Sequence, residues 1–523
     1  MFPRLSPRWF ALVALLAFAG CGGDDKPKPQ GSDGGNVDAS DGAARMCTHP
    51  FQTPLDGHSP TDVNASPEDG ASEVMLTPSS IPLDAVVFPL EVQSGEMKPE
   101  SFVAWTKVVG GDDPTLLVWR EATSAGDILE VTRIVVSPAD GGFAKQLVDN
   151  LAPNTVYHYA FFTTADDALV GRSPIGRVRT ALAPGEKRTL RIGATTCVGS
   201  ESLDDRPFLE PYPALSMMGA ENLDFTVHLG DVSYNDGASS LADFRASWTH
   251  TFEQQGYRDL LPSTGFYATW DDHEVGDNWN DPMNMTPEVR VARARQAFDD
   301  FMATTRSTSD PIWGSYQWGD TVEVIVLDLR SERDQETAET DDAKFISPEQ
   351  LAFLKSRLME STAHFKLVMS SVNMTNLPES GGWDARFAYD DRWEGYPNQR
   401  KEILDFIVDN DIPNVWFLAG DIHMGFVGRV EPEGHPYAKM WEITVGPGAS
   451  ALNPLSALLN SDLIDVETVF PCNQFIFWHG RRQVATYLEL DPEADTIRVT
   501  FVDGETDETL FDEVLRQEPG DAS

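Results

Sequence analysis

Residues 225–231 have the sequence Phe-Thr-Val-His-Leu-Gly-Asp, and residues 415–423 have the sequence Val-Trp-Phe-Leu-Ala-Gly-Asp-Ile-His. Each segment begins with an apolar run, which predicts a buried β-strand, and each strand is followed by a Gly-Asp pair. An open α/β sheet places its ligands beyond the carboxyl ends of its strands. We therefore expect Asp231, Asp421 and His423 to lie near a ligand at the edge of a sheet.

The region around these two segments alternates between strand and helix patterns. Strands are predicted at 189–194, 225–229, 321–327, 365–369 and 415–419, and helices at 286–302, 347–358 and 398–408. Two of the helices begin with Thr-Pro-Glu and Ser-Pro-Glu, each a capping residue followed by a proline in the first turn. This pattern predicts one layered α/β domain at 187–515, with mixed sheets flanked by helices.

Two more predicted strand ends carry polar side chains. Residues 191–197 end in the thiol of Cys197, and residues 266–274 end in Trp-Asp-Asp-His-Glu. A single Gly-Asp pair is commonly only a turn or a helix cap, and a lone histidine such as His228 is commonly a hydrogen-bonded core residue. Adjacent carboxylates, however, repel each other unless cations offset them. The four strand ends together therefore predict a bridged metal cluster, whose donors suit cations such as Ca²⁺ and Fe³⁺.

The charge of the chain restricts its partners. Among 523 residues, 83 are acidic and 39 are basic, which gives a formal net charge of −44. Such a surface repels nucleic acids and anionic lipid headgroups unless a local basic site or metal ions reverse the field. We therefore expect no nucleic-acid partner, and an anionic substrate would need cations built into the site.

As an ordered set, these motifs resemble those of the PhoD-like (alkaline phosphatase D) branch of the calcineurin-like metallophosphatases. The motifs that carry the resemblance are the Cys197 strand end, His-Leu-Gly-Asp231 with Tyr234, Trp-Asp-Asp-His273-Glu, Leu-Asp328-Leu-Arg330-Ser-Glu-Arg333, Trp393-Glu-Gly-Tyr396-Pro-Asn-Gln-Arg400 and Ala-Gly-Asp421-Ile-His423. They occur in this order between about residues 190 and 450.

The resemblance implies a site that holds Fe³⁺ and Ca²⁺, and another divalent metal pair is the alternative. Cys197, Asp231 and Tyr234 would bind iron, with Asp231 bridging toward calcium. Asp272 stands where the wider superfamily has a metal-binding asparagine. The remaining implied ligands are Asn278, for which Asp277 is the alternative, Asp421 and His423.

Bound cations would lower the pKa of a coordinated water and polarise the oxygens of a phosphate ester. We expect a metal-activated hydroxide to attack phosphorus in line, without a covalent enzyme intermediate. His273 would orient the phosphate or protonate the leaving oxygen. Asp272 and Arg330 complete the catalytic candidates, and Arg330 would either clamp phosphoryl oxygens or support the metal cluster. A surface ion pair of Arg330 with Asp328 or Asp334 is the alternative.

Residues 71–182 have a different pattern, with short apolar runs between turn residues. Runs at 85–88, 101–105, 116–119 and 133–136 predict strands, as does the alternating segment that follows the turn at 151–155. Several short strands in succession predict an all-β sandwich. The Leu-x-Pro-x-Thr-x-Tyr-x-Tyr run at 151–159 resembles a fibronectin type III corner, so we expect a small fibronectin type III/Ig-like sandwich before the α/β domain.

Residues 1–20 are expected to be a signal peptide, because a basic start precedes an apolar run that is too short to span a bilayer. Ala19, Gly20 and Cys21 resemble a bacterial lipoprotein cleavage box, which makes Cys21 the lipidated first residue of the mature protein. An ordinary secretory signal followed by a plain thiol is the alternative. We expect a monomer in the bacterial cell envelope, periplasm-facing or on the cell surface, that meets the membrane only through its lipid anchor.

Residues 21–70 contain too few apolar residues to offset their ordering entropy, which predicts a flexible tether. If Cys21 carries lipid and Cys197 belongs to a site, Cys47 and Cys472 remain as a possible disulfide in an oxidising compartment. Two isolated buried thiols are the alternative to that bond.

The sequence thus predicts an exported metal-dependent phosphoesterase that acts on small phosphate esters, as a monoesterase or a diesterase. One alternative is a surface-anchored binding protein whose metal ions are structural and whose sandwich docks a glycan or a partner. Another is a dinuclear hydrolase that acts on esters other than phosphates.

Overall fold

Strands and helices alternate between residues 190 and 419 in the computed structural model. The structure describes residues 69–121, 128–200, 206–279, 286–377, 391–461 and 465–517. The strands of these residues are β1 (Ser72–Val74), β2 (Val92–Lys98), β3 (Ser101–Lys107), β4 (Thr115–Glu121), β5 (Ile128–Val135), β6 (Phe143–Val148), β7 (Val156–Ala165), β8 (Ala168–Arg172), β9 (Gly176–Arg179), β10 (Leu190–Thr195), β11 (Phe225–His228), β12 (Gly265–Ala268), β13 (Gly314–Trp318), β14 (Val322–Val326), β15 (Phe365–Met369), β16 (Val415–Ala419), β17 (Gly425–Arg429), β18 (Trp441–Thr444), β19 (Phe475–His479), β20 (Val484–Asp491), β21 (Thr496–Asp503) and β22 (Thr509–Leu515). The α-helices are α1 (Arg206–Leu209), α2 (Pro213–Gly219), α3 (Leu241–Glu253), α4 (Gln255–Leu260), α5 (Pro287–Phe301), α6 (Pro348–Glu360), α7 (Pro397–Asp409), α8 (Pro454–Asn460) and α9 (Val466–Val469).

The described strands form three sheets. The nine-stranded sheet has the order β22-β21-β20-β10-β11-β12-β2-β3-β6, and the seven-stranded sheet has the order β13-β14-β15-β16-β18-β17-β19. The N-terminal sheet has the order β1-β5-β4-β7-β8, with β9 paired to β7. Both large sheets are mixed: β10, β11 and β12 run parallel in one, and β14, β15, β16 and β18 run parallel in the other.

The alternation of side chains along each central strand decides what its two faces contact. In β15, Leu367 and Met369 pack into a core that both large sheets share, whereas Val368 packs against α6 and α7. In β20, Leu488 faces the shared core and Ala485 faces the cluster that contains α2 to α5. The two sheets therefore pack face to face with helices outside, as the layered α/β prediction requires.

The predicted elements of this domain are confirmed with small shifts at their ends. Strands 365–369 and 415–419 match β15 and β16, and helices 286–302, 347–358 and 398–408 match α5, α6 and α7. The capping prediction holds for Ser347, whose side chain accepts a hydrogen bond from the Gln350 backbone. It is wrong for Thr286, whose side chain makes no cap bond.

The N-terminal strands are divided between two sheets. β2, β3 and β6 extend the nine-stranded sheet, where Ser94 of β2 pairs with Gly265 of β12. The Trp105 indole donates to the Asp300 carbonyl (2.8 Å), and Gln93 accepts from the Ala303 backbone (2.6 Å), so these strands also hold the end of α5. The β-rich segment is thus continuous with the α/β layers, a connection that short-range patterns do not predict. The fibronectin type III/Ig-like sandwich predicted as a separate small domain is therefore not confirmed.

The strand predicted at 85–88 is wrong. These residues form a turn in which Asp84 accepts two backbone hydrogen bonds, one at its side chain from Val87 (3.2 Å) and one at its carbonyl from Phe88 (2.8 Å). Such local bonds compete with strand pairing. Val86, which the strand prediction places in a sheet, is 81% exposed.

Several predictions lie outside the described residues, namely the signal peptide 1–20, the lipidation site Cys21, the tether up to residue 68 and Cys47. Cys472 is disulfide-bonded and Cys197 is a free, buried thiol. The pairing of Cys472 with Cys47 stays a prediction. Among the described residues, no helix combines the length and apolar character needed to cross a bilayer.

Candidate metal centre

The predicted ligands follow strands of both large sheets. Cys197, Asp231 and Asp272 follow the parallel strands β10, β11 and β12 of the nine-stranded sheet, whereas Asp421 and His423 follow β16 of the seven-stranded sheet. Because the two sheets pack face to face, their carboxyl edges meet, and side chains from distant parts of the sequence converge there.

Backbone contacts hold the loops together. The Cys197 backbone donates to the Gly230 carbonyl (3.1 Å), and the Val198 backbone donates to the Asp231 carbonyl (2.9 Å). Both Gly-Asp glycines are sterically required. A Cβ at Gly230 would lie 2.4 Å from Asp271 Cβ, and one at Gly420 would lie 2.2 Å from Thr196 Oγ1.

Five of the predicted ligands have left-handed backbone conformations, which are unfavourable for residues other than glycine. Their φ angles are 49° at Cys197, 54° at Asp231, 48° at Asn278, 69° at Asp421 and 51° at His423. Such a concentration of strain is typical of a site whose side chains must point at one place.

Cys197, Asp231 and His423 each offer a ligand atom within 4.8 Å of the other two. The Tyr234 hydroxyl joins this group, because it lies 3.0 Å from His423 Nε2 and 3.4 Å from Asp231 Oδ2. A thiol, a carboxylate, an imidazole and a phenol therefore surround one position, and this donor set suits a borderline or hard transition-metal ion.

Two further groups consist mainly of carboxylates and share members. Asp231, Asp272 and His273 form one of them, and Asp271, Asp272 and Asp421 form the other, again with ligand atoms within 4.8 Å. Asp271 Oδ2 is buried and has no hydrogen-bond partner among the described residues. A bound cation would satisfy this oxygen, and oxygen donors are those that hard cations such as Ca²⁺ prefer.

The electrostatics of the cluster also favour cations. Burial raises the pKa of the Cys197 thiol, the Asp231 carboxyl and the Tyr234 hydroxyl well above their ordinary values. The charge of Asp231 raises the pKa of both Cys197 and Tyr234 further. These three groups bind metals only as anions. A cation bound between them would therefore favour the ionised form of all three. The residues present thus fit a metal cluster.

Arg330 lies among the carboxylates rather than on the cavity wall. Its side chain is fully buried and forms ion pairs with Asp271 and Asp391. Its Nη2 atom lies 3.2 Å from Asp421 Oδ1 and 3.5 Å from Asp272 Oδ1. The predicted alternative, a surface ion pair with Asp328 or Asp334, therefore does not describe this residue. One guanidinium holds four carboxylates in place.

Asp391 and Asp271 respond differently to this guanidinium. Burial opposes ionisation of Asp391, but the charges of Arg330 and Arg333 lower its pKa to about 2. Burial raises the pKa of Asp271 to about 6 although Arg330 opposes the shift. The single charge of Arg330 is therefore too small to offset the whole cluster, which leaves Asp271 and its neighbours able to bind cations.

His273 is positioned from both sides. Its Nδ1 atom lies 2.9 Å and 3.0 Å from the two carboxylate oxygens of Asp236, and its ring stacks on that of Tyr234 with a centroid distance of 4.1 Å. Burial opposes protonation of the ring, but the carboxylates of Asp272, Asp231 and Asp236 raise its pKa well above the usual value. The imidazolium is therefore the favoured form in this arrangement of residues.

Glu274 connects two of the ligand loops. Its Oε2 atom accepts hydrogen bonds from the backbones of Asp231 (3.1 Å) and Asp271 (2.8 Å), and its Oε1 atom accepts one from Val232 (2.5 Å). The side chain is fully buried, and burial raises its pKa to about 7. One carboxylate thus fixes the backbone on both sides of the cluster.

A cavity of about 240 Å³ opens onto these side chains. Its polar lining includes the predicted residues Asp231, Asp272, His273, Asn278, Asp421 and His423, together with Asp277, Asp391, Arg392 and Asn453. The Asn278 backbone donates to Asp272 Oδ2 (2.5 Å). The remaining lining residues are apolar: Leu377, Ile422, Met424 and Leu455.

Five residues that shape the site were not among the predicted site residues. Asp271 and Glu274 belong to the same motif as His273, so the motif itself contained their signal. Asp236 lies two residues after Tyr234, and in the sequence it is only one more carboxylate near a predicted ligand. Asp391 and Ser450 carried no recognisable signal; Ser450 Oγ lies 3.2 Å from both ring nitrogens of His423. His228, expected in the core, is buried with its Nε2 atom 3.1 Å from the Tyr257 hydroxyl.

Comparisons with known proteins agree with this geometry. The family model described as PhoD-like phosphatase matches residues 206–469, and the one described as PhoD-like phosphatase, N-terminal domain matches residues 75–182. Alkaline phosphatase D of Bacillus subtilis (strain 168) is 27% identical over 418 residues, which cover 69% of this chain and 68% of that protein.

Two solved structures share the fold. A structure of PhoD has a TM-score of 0.67 at 22% identity and covers 79% of this chain and 86% of its own. The purple acid phosphatase PPD1 from yellow lupin (Lupinus luteus) seeds has a TM-score of 0.53 at 13% identity, with coverages of 82% and 74%. The chain thus shares the layered α/β fold with mixed sheets of these two proteins, and it belongs to the PhoD-like phosphatase family.

Proposed function

We propose that this phosphatase is a metal-dependent phosphoesterase that hydrolyses small phosphate esters at the cavity described above. The observation that carries the proposal is the convergence of Cys197, Asp231 and His423 within 4.8 Å, beside two groups of carboxylates. An acidic protein with a net charge of −44 needs local positive charge to bind an anionic ester, and bound cations supply it.

We assign Fe³⁺ to the position surrounded by Cys197, Asp231, Tyr234 and His423. We assign Ca²⁺ to the oxygen-rich position beside Asp272 and Asp421, which Asn278 adjoins. The donor chemistry supports both assignments, because thiolate and phenolate suit iron and carboxylates suit calcium. When bound, such cations polarise phosphoryl oxygens and lower the pKa of water from about 16 toward 7.

His273 is the proposed proton donor to the leaving oxygen. The carboxylate of Asp236 holds its Nδ1 side, and Tyr234 supports the face of its ring. The Asp236 carboxylate at Nδ1 favours the protonated ring, which is the form that a general acid requires. Arg330 acts indirectly, because it holds Asp271, Asp391 and Asp421 rather than lining the cavity.

Substitution of the proposed ligands tests this function. Asp231→Asn and Asp421→Asn are expected to lose both bound metal and hydrolysis of p-nitrophenyl phosphate. Asp512→Asn is a matched control, because it removes a partly exposed carboxylate from the edge strand β22. Unchanged hydrolysis in both ligand variants would overturn the proposal. A metal-loaded wild-type protein that hydrolyses no ester would favour a surface-anchored binding protein with structural metals.

Monoesterase and diesterase activities are both compatible with an open cavity. The two are separated by comparing rates on p-nitrophenyl phosphate and bis(p-nitrophenyl) phosphate with the same enzyme preparation. We propose that both are hydrolysed, because the proposed cations would act on phosphoryl oxygens that monoesters and diesters share.

We further propose that the protein is an exported monomer that is anchored in the bacterial cell envelope by lipid on Cys21. The basic and apolar pattern of residues 1–20 and the small residues before Cys21 support this location. A Cys21→Ser variant is expected to be lost from the membrane fraction. Its apparent mass by gel filtration is expected to be that of one chain. Retention in the membrane fraction would contradict the anchor.

A further inference from the structure

One part of the cavity lining is an apolar wall, although the lining also includes the proposed metal ligands. Leu377, Ile422, Met424 and Leu455 form this wall, which we call the apolar wall. A phosphoryl group bound by cations makes no use of such side chains, so the wall must contact another part of a bound molecule.

The apolar wall lies next to the ligands in the chain itself. Along residues 421–424, Asp421 and His423 belong to the ligand groups, whereas Ile422 and Met424 line the apolar wall. Consecutive Cα atoms are about 3.8 Å apart, so a molecule whose phosphorus lies at the ligands brings its ester oxygen close to this wall.

The wall is fixed in place by its surroundings. Asn453 donates through Nδ2 to the Ile422 carbonyl (2.7 Å) and accepts through Oδ1 from the Leu455 backbone (2.8 Å). It therefore ties the beginning of α8 to the ligand loop. Behind the wall, the four side chains pack into one apolar cluster that includes Phe426 and Leu459. A preformed apolar surface of this kind favours ligands with a complementary apolar group.

We propose that the apolar wall binds the organic group of the ester, and that the enzyme prefers phosphate esters with an alkyl or aryl group beside the phosphate over esters of polyols. The inference rests on the proposed phosphoesterase function and adds the substrate class to it. A polyol placed against this wall would lose hydration without gaining hydrogen bonds, whereas a hydrocarbon chain would leave water.

Competitive inhibition by n-alkylphosphonates, from methyl to hexyl, tests this preference without involving a leaving group. Full burial of a methylene corresponds to about a fourfold gain in affinity. The four wall side chains are only 1–8% exposed, so they can contact only the first part of a chain. We therefore expect the inhibition constant to fall about twofold per methylene over the first methylenes and then to level off. An inhibition constant that stays the same across the series in the wild-type enzyme would overturn the inference.

Variants locate the effect at the wall. Leu455→Ala is expected to make the dependence on chain length shallower while leaving inhibition by methylphosphonate unchanged. Leu459→Ala is the matched control, because Leu459 lies on the same helix and in the same apolar cluster but does not line the cavity. If the inhibition constant depends on alkyl length equally in Leu455→Ala and in the wild type, the alkyl chain does not bind at the apolar wall and the proposal is refuted. Leu377→Ala serves as the second wall variant if Leu455→Ala does not fold.

Failure of this inference is distinguishable from failure of the proposed function. Hydrolysis of p-nitrophenyl phosphate with no dependence on alkyl length would leave the phosphoesterase standing and remove the preference. Without any hydrolysis, calorimetric titration with the same phosphonates still measures the dependence on chain length. A twofold gain per methylene in that titration would support the wall, and a flat series would reject it.

Discussion

Substitution of Glu274 by glutamine tests whether one buried carboxylate organises the metal centre. In the wild-type protein, its two oxygens accept three backbone hydrogen bonds, from Asp231, Asp271 and Val232. A glutamine side chain has one carbonyl oxygen, so its NH₂ group faces a backbone N–H at the other position. At least one buried donor is then left unsatisfied.

The size of the effect follows from these contacts. An unsatisfied buried donor costs about 1–3 kcal/mol, and a hydrogen bond to a charged group contributes about 1.5–3 kcal/mol. Both figures describe the same lost bond, so we expect Glu274→Gln to destabilise the fold by about 1–3 kcal/mol. Since the lost bond holds a ligand loop, metal affinity should also fall about 10–100-fold, as is usual when a group that orients ligands is removed.

Thermal unfolding and titration of the metal-free protein with calcium and iron measure these two effects. Glu442→Gln is the matched control, because Glu442 is equally buried and accepts backbone hydrogen bonds from Met374 (2.7 Å) and Thr375 (2.8 Å) but belongs to none of the ligand groups. Both variants should lose stability, and only Glu274→Gln should lose metal affinity. Equal metal affinity in the two variants would show that Glu274 has no specific role in the site.

Four further changes give separate tests. Asp236→Asn removes the carboxylate at His273 Nδ1, so kcat should fall about tenfold to a hundredfold with little change in KM. If kcat and its pH profile are unaltered, the contact between Asp236 and His273 has no role in the reaction. Cys197→Ser should lower iron content while calcium is retained, and full iron occupancy in the purified variant would remove Cys197 from the ligand set. Gly420→Ala should lower the free energy of unfolding by about 1–3 kcal/mol, because the added Cβ would overlap Thr196. Gly314→Ala is the control and should be neutral, because no atom lies near the added Cβ. Equal melting temperatures of the two variants would argue against the close contact between Gly420 and Thr196. Burial lowers the pKa of His228 to about 3, below the unfolded value of about 6.5, so between these pH values only the unfolded chain binds the proton. The free energy of unfolding should therefore fall by about 1.4 kcal/mol for each pH unit from pH 6.5 toward 3. His228→Gln should flatten this part of the stability–pH curve, and parallel curves for the variant and the wild type would contradict the shift.

The elements of the α/β domain were predictable because each is encoded by a local pattern. The apolar run at 415–419 can only be a buried strand in this context, and the Ser-Pro-Glu at 347 places the start of α6 within one residue. The sequence also predicted that Asp231 and Asp421 each lie beyond the carboxyl end of a strand, because each strand is followed by Gly-Asp. The two strands belong to different sheets, so the approach of Asp231 to His423 depends on the face-to-face packing of the sheets, which no local pattern encodes.

What the sequence could not predict depends on contacts between distant segments. Nothing local indicates that Asp236 would meet His273, or that Glu274 would accept bonds from two ligand loops. The pairing of Ser94 with Gly265, which joins the N-terminal strands to the nine-stranded sheet, is equally invisible to short-range patterns. At residues 85–88 the apolar pattern was misleading, because the Asp84 side chain stabilises a turn.

Distant loops bring a thiol and several carboxylates together in this fold, and we propose that these side chains hold cations. Elemental analysis of the purified wild-type protein, paired with its phosphatase activity before and after removal of metal by a chelator, tests it most directly. We expect iron and calcium in the active protein, loss of activity when the metals are removed, and recovery of activity when both are returned. Undiminished hydrolysis by a protein free of metal would contradict it.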